Sequence, residues 1–276
     1  MKIALIQQPA SHDKAANVTR GLAAARKAAS AGAEVIAFAE LAFERFYPQH
    51  PATPESAELA ETIPGPMTDA FCDIAREFGV VIVLNLFERA GDETFDSSPV
   101  IDVDGSILGT TRMVHITEYD CFHERGYYAP GDQGAPVYET GKGKVGIAIC
   151  YDRHFPEYMR ALAVAGADVI FIPQAGAIDE WPEGLYEAEM RVAAFQNGVF
   201  TALCNRVGPE ERLEFAGESF VCDATGCVIA RAGKGTEETL HCELDLASLE
   251  QSSARKLFMG DRRPELYALW LGTPPA

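Results

Sequence analysis

An α/β fold is predicted for this 276-residue chain by three features. Short apolar, β-branched runs at 1–8, 33–39 and 145–149 have the length and composition of buried strands. Alanine-rich segments with helix-start and helix-stop residues lie between them, one opening near Asn17 and one at Pro156. One unit also occurs twice: a helix, a glycine and a strand read GAEVIAFAE up to Glu40 and GADVIFIPQ up to Gln174. That weak duplication suggests a sheet in which corresponding strands present their ends to a shared site.

Taken in order, residues 1–8 read as a central strand and 17–31 as a helix capped by Asn17 and closed by Gly32. The strand over 33–39 delivers Glu40. Residues 42–62 mix aromatics, prolines and acids and predict an irregular loop with a short helix; 66–78 read as a helix and 80–88 as a strand. Residues 99–110 alternate around Asp104-Gly105, a hairpin signal. Its second arm is expected to continue to Ile116, with Met113 and His115 on one face and Arg112 and Val114 on the other. An aromatic, charged loop over 117–132 leads to the strand that ends on Cys150. A loop carrying Trp181, a helix over 187–197 and a strand over 199–207 follow the second unit. A hairpin around 223–226 and a last strand over 239–246 come next. No Gly/Ser-rich linker breaks the chain, so a single domain is expected over 1–262, with a tail over 263–276 docking in an oligomer.

Composition bounds the function. With 47% hydrophobic residues the chain can bury a large core. Forty-one acidic residues against 23 basic ones, a net charge of −18, argue against nucleic acid or an anionic membrane as partner. No stretch approaches the roughly 18 apolar residues of a membrane span, and MKIALIQQ is too short for a signal segment, so a cytoplasmic location is expected. Seven cysteines without C-x-x-C or metal-like Cys/His clustering indicate reduced thiols and no metal. Cys222 and Cys227 read as packing residues.

Cys150 is the candidate nucleophile. It sits where a strand gives way to YDRHFPE and a Pro-initiated helix, a junction whose free N–H groups favour a thiolate and a developing oxyanion. A structural buried cysteine is the alternative. Glu40, after seven apolar residues, is either a strand terminator or a functional carboxylate that must be solvated or paired. Glu124 lies among Phe122, His123, Tyr127 and Tyr128, either in a pocket wall or on a surface loop. Phe43, Phe46, Tyr47, Tyr119, Phe122, Tyr127 and Trp181 hint at a pocket with apolar walls.

In combination and order, GAEVIAFAELAF, LGTTRMVHI, ERGYYAPGD, VGIAICYDRHFPE, GADVIFIPQAG, EAEMRVAAFQNG, CNRVG and FAGESFV resemble the nitrilase superfamily, the carbon-nitrogen hydrolases. CYDRHFPE is more similar to the amidase and N-carbamoyl amidohydrolase branches. The resemblance implies a four-layer α-β-β-α sandwich, assembly into homodimers or larger oligomers, a small-molecule substrate and no cofactor. By position it implies Cys150 as nucleophile, Glu40 as general base and Glu124 as the second glutamate. It further suggests the Tyr151 backbone N–H as oxyanion donor, and Arg153 and His154 near the substrate, Arg153 on a substrate carboxylate. Arg153 could equally pair with Asp152 or Glu157.

One family residue is missing. The lysine two positions before the strand-motif histidine is Met113 here, and no lysine occurs between Lys27 and Lys142. A thioether carries no charge and no donor. Arg153, His154, His115 and His123 are the possible substitutes. Besides a small-amide or N-carbamoyl hydrolase, the residues leave open a weak or inactive binding scaffold, a nitrile-processing or acyl-transferring relative, and a Cys–His site based on His154 or His115.

Overall fold

The structure, a computed structural model, describes residues 1–272. The chain opens with β1 (Lys2–Gln7), α1 (Lys14–Ser30) and β2 (Val35–Phe38), then crosses a loop to α2 (Pro66–Phe78), β3 (Val81–Val83), β4 (Leu86–Ala90), β5 (Glu93–Ile101) and β6 (Ile107–Arg112). After the 117–132 loop come β7 (Val137–Thr140), β8 (Gly143–Ile147), α3 (Pro156–Val164), β9 (Val169–Gln174), α4 (Leu185–Asn197) and β10 (Phe200–Asn205). Two short strands, β11 (Val207–Pro209) and β12 (Glu214–Ala216), pair with each other. The order closes with β13 (Phe220–Cys222), β14 (Val228–Arg231), β15 (Glu238–Glu243) and α5 (Pro264–Leu271).

The local chemistry explains most of these elements. Asp13 caps α1 by accepting from Ala16 N at 3.0 Å. Asn17, expected as the cap, is instead buried inside the helix, where its amide holds Ser11 O and Phe43 O at 2.8 and 3.1 Å. Helix α2 starts on Pro66, buries Met67, Phe71, Ile74 and Ala75 on one face and ends at a left-handed Gly79. The expected 80–88 strand divides at Asn85, whose side chain is used by neighbouring strands rather than by solvent. The second hairpin arm stops at Arg112, because the N–H groups of Val114 and His115 are taken by the Asp152 carboxylate instead of a strand partner.

Two sheets form the centre. One runs β15-β1-β2-β3-β5-β4, with β6 on β5; the other runs β14-β13-β10-β9-β8-β7. Each has a parallel middle, β1-β2-β3 and β8-β9-β10, and antiparallel edges. Helices α1 and α2 cover the first sheet and α3 and α4 the second, while β1 faces β10 and β2 faces β9 across a shared apolar core. This is the four-layer α-β-β-α sandwich. The duplicated unit is real in conformation, since Gly32 and Gly166 close their helices at φ +93° and +98°. Its two strands, however, lie in different sheets rather than in one. They still aim their C-terminal ends, Glu40 and Gln174, at the same place.

The expected 199–207 strand breaks at Arg206, a fully buried guanidinium. Arg206 Nη1 donates to Glu40 O at 2.9 Å and to Leu41 O, and Nη2 donates to Glu44 O at 2.8 Å and pairs with Glu210. It thus stitches the turn after β2 to β10. Helix α5 buries none of its side chains, and residues 273–276 of the expected docking tail lie outside the described residues. No helix among the described residues is long and apolar enough to cross a membrane.

Removing the guanidinium strands three main-chain carbonyls and the Glu210 carboxylate in the interior. R206M should therefore destabilise the fold by about 3–5 kcal/mol, lowering Tm by roughly 5–10 °C. Calorimetry checks it; a Tm within about 2 °C of the parent would count against this role.

Candidate active site

Parallel strand tips deliver the site. Strand β2 ends at Phe38 and, through Ala39, places Glu40, which is completely buried. Strand β8 runs out into Ala148 and Ile149 and then the 3-10 turn Cys150–His154, which stands between the strand and α3. Cys150 has φ +41°, a left-handed conformation that a non-glycine residue holds only when its surroundings enforce it. The residue after Glu40, Leu41, is held at φ +44° in the same way.

Cys150, Glu40 and Glu124 meet in one buried cluster, the Cys150 thiol lying against Glu40 and both glutamates acting on it through their charge. Only 4% of Cys150 is exposed. Gln174, at the tip of β9, donates from Nε2 to Cys150 Sγ at 3.1 Å. Arg153 Nη1 donates to Cys150 O and to Gln174 Oε1, both at 2.9 Å. The Arg153 guanidinium also stacks over Tyr186 and approaches Glu189 at 3.4 Å, so neither Asp152 nor Glu157 is its ion-pair partner. Tyr151 follows Cys150 in the 3-10 turn, whose first N–H groups have no preceding turn to bond.

Electrostatics are dominated by burial. Glu40 is pushed up to about 8, first by burial and then by the charge of Glu124. Burial likewise lifts Glu124 well above the carboxylate range, although Thr117 N donates to its Oε2 at 3.2 Å. The Cys150 thiol is also pushed well up, by burial and then by Glu40, with Arg153 pulling the other way. A strand-to-helix junction was expected to favour thiolate, but Cys150 opens a short 3-10 turn among buried acids, and burial outweighs the main-chain dipoles.

The candidate substitutes for the missing lysine have separate partners. Met113 is fully buried, its N–H donating to Asp96 O at 2.9 Å and its carbonyl accepting from Gly131 N at 2.7 Å. His115 Nδ1 bonds Asp152 at 2.7 Å and its ring stacks on Phe155, while His123 bonds Glu118 at 2.7 Å. His154 Nδ1 bonds Glu189 at 2.6 Å, and its ring lies against Tyr151 and Trp181. Arg112 turns away to Glu88 and Asp132. Arg153 is the candidate whose charge Cys150 feels.

Several contributors were not foreseen. Glu180 gathers Tyr119, Trp181, Tyr186 and the Ala177 N–H around its carboxylate, which ties the 177–186 loop to the 117–132 loop beside the site. Asp152 is buried under the N–H groups of Val114 and His115. Asp96 and Asn85 lie beneath Glu40. Gln174 alone carried a signal, as the counterpart of Glu40 in the repeated unit. Of the aromatics, Phe43 belongs to the core, packed on Phe38 and Phe71.

Comparison with known proteins agrees with this architecture. The carbon-nitrogen hydrolase family profile matches residues 2–254. The chain is 34% identical to N-carbamoylputrescine amidase of Solanum lycopersicum, over 98% of this chain and 94% of the relative. It is 31% identical to a citrullinase of Francisella tularensis, over 97% and 96%. Among solved structures, a carbon-nitrogen hydrolase from Helicobacter pylori superposes with a TM-score of 0.91 at 28% identity, covering 98% of both chains. A mutant of the amidase from Nesterenkonia sp. AN1, showing Michael addition of acrylamide at its active-site cysteine, superposes at 0.83 and 27% identity over 98% and 99%. With a matching profile along nearly its whole length and relatives above 30% identity across almost all of both chains, this chain belongs to the carbon-nitrogen hydrolases of the nitrilase superfamily.

Proposed function

We propose that the protein hydrolyses a non-peptide C–N bond of a small amide or N-carbamoyl compound through a thioester on Cys150. The observation that carries this reading is the meeting of Cys150, Glu40 and Glu124 at converging strand tips. Similarity to an N-carbamoylputrescine amidase and a citrullinase supports the carbamoyl branch.

Because burial keeps the resting thiol protonated, the nucleophile needs a base at the moment of attack. Glu40 takes the Sγ proton as the sulfur bonds to the carbonyl carbon, and the oxyanion is received by the Tyr151 backbone N–H. Glu40 returns the proton to the departing nitrogen, which leaves as ammonia or an amine. Water enters, oriented by Glu124, gives a proton to Glu40 and attacks the thioester; the thiolate leaves and is reprotonated. Gln174 holds the sulfur in line. Arg153 and His154 bind the substrate beyond the reacting carbon, His154 through an Nε2 that has no partner. No step calls for a metal or an organic cofactor.

A second reading, a weak or inactive binding scaffold, rests on Met113, since losing one charge-stabilising donor costs about 3–4 kcal/mol in a transition state. The Cys–His alternative requires a histidine on the Cys150 sulfur, where Gln174 stands instead.

C150A and E40Q should each lower amide or carbamoyl hydrolysis by roughly 10⁴-fold or more, measured as ammonia release across amides, N-carbamoyl amino acids and nitriles; undiminished turnover in either variant would falsify the mechanism. Because Glu40 must be ionised to act and its ionisation is displaced upward, kcat/KM should climb as pH rises through neutrality toward 8. A plateau already reached at pH 5–6 contradicts that placement of the base.

The oligomer is proposed to form through the outer helical face. Val164 on α3 and Val192 and Phe195 on α4 are exposed, and Phe258 packs beside Phe195 at the edge of the same layer. Sedimentation at micromolar concentration should show at least a dimer, and V192E should weaken it. A parent protein that sediments as a monomer overturns the assignment.

A further inference from the structure

Asp96 is a buried carboxyl group to which the mechanism above gives no part. It lies on β5, completely buried, one strand pairing away from Met113. The surrounding amide fixes which of its oxygens accepts. Leu41 N donates to Asn85 Oδ1 at 2.7 Å, so the Asn85 nitrogen has to be the donor toward Asp96 Oδ1, at 2.5 Å, and Ser98 Oγ, at 3.1 Å. Asp96 Oδ1 is therefore an acceptor. Its Oδ2 is buried without a donor, and so are both oxygens of Glu40, although the two carboxyl groups lie against each other.

The groups around this pair do not neutralise it. Glu40 faces Glu124 and the Cys150 thiol, Asp96 feels Asp152, and the buried Tyr128 phenol lies among Asp96, Glu40 and Glu124. The cation nearest in effect is Arg206, whose guanidinium is held by main-chain carbonyls and Glu210. Arg153 places Nη1 on Cys150 O and Gln174 and turns Nε toward Glu189, on the thiol's side of the cluster. Two touching, fully buried carboxyl groups beside Glu124 and Asp152 cannot both be ionised, so one proton stays between them.

We propose that Asp96 is held as a neutral carboxylic acid whose Oδ2–H donates to the Glu40 carboxylate. This positioning residue then gives Glu40, as a hydrogen-bond donor, the support that a cation would otherwise give. The inference rests on Glu40 being the base for Cys150, and it leaves that base ionised and aimed although position 113 is a methionine. A proton-sharing pair needs no charge beside it.

Site-resolved alkylation of Cys150 by iodoacetamide as a function of pH tests this without any turnover, for the parent, D96N, D96A, Y128F and E40Q. In D96A, Glu40 loses its donor and ionises later, so the acid limb should move up by about one pH unit or more. D96N donates without titrating and should hold the limb within about half a unit of the parent. An ionised Asp96 gives the opposite sign: its removal relieves repulsion and moves the D96A limb down. A downward or absent shift in D96A overturns the inference, as does a shift confined to Y128F. Difference infrared spectra at pH 7, parent minus D96N, supply a readout on the parent itself: they should show a protonated buried carboxyl band beyond those of Glu40 and Glu124, and a difference spectrum without it overturns the inference even if D96A fails to fold. An alkylation limb unmoved in E40Q sinks the hydrolase reading separately, since the infrared band reports on Asp96 whether or not Glu40 serves Cys150.

Discussion

Glu40 is a carboxyl group fully buried from bulk solvent, and the surrounding chain is arranged to keep it there. Arg206 crosses from the second sheet to hold the carbonyls of Glu40, Leu41 and Glu44. Asn85 takes the Leu41 N–H from the other side and passes the constraint to Asp96. The main chain on both sides of the side chain is thus fixed by buried hydrogen bonds, which is what allows Leu41 to sit at φ +44°. A flexible turn in the same place would let the carboxylate swing toward solvent, where it would regain ordinary acidity and lose contact with Cys150.

In the proposed mechanism, the same burial decides what kind of nucleophile Cys150 would be. Among buried acids the thiol stays protonated at rest, so this is not a preformed thiolate–cation pair. In the proposed mechanism the attack instead depends on a carboxyl group and a thiol whose proton affinities burial raises together. A stronger base offsets part of what burial adds to the cost of deprotonating the sulfur. Gln174 and Arg153 contribute geometry, one on the sulfur and one on the Cys150 carbonyl.

How much of this the sequence revealed depends on whether the signal was local. The strands ending on Glu40, Cys150 and Gln174 were legible because apolar runs and helix-stop glycines are local signals, and the repeat at 32–40 and 166–174 is visible by comparing two short segments. Helix α2 was legible to the residue, having Pro66 at one end and Gly79 at the other. The breaks at Asn85, Arg112 and Arg206 were not, because each is made by a partner distant in the chain: Leu41, Asp152 and the turn after β2. That the repeated unit belongs to two sheets was hidden for the same reason, since strand composition does not state which strand pairs with which. Asp96 falls between the 80–88 strand and the 99–110 hairpin expected from the sequence, where nothing marks it, although the strand found there is Glu93–Ile101. Only the folded arrangement puts it under Glu40.

Stability and activity pull this site in opposite directions along the pH axis. Glu40, Asp96 and Glu124 all have folded-state proton affinities raised above their unfolded ones by burial. In that direction the native state binds more protons than the unfolded state, so their contribution to stability is fully present below the ordinary carboxylate range and is lost as pH rises toward the folded-state values. The rise in pH that would ionise Glu40 for the proposed catalysis is the same rise that makes its burial expensive. Arg206, Asn85 and the proton retained by Asp96 act against that cost at three different points: the main chain, the neighbouring acid and the carboxylate itself. A site built this way tolerates one charge in its interior and not two, and it is the second ionisation that the architecture has to prevent.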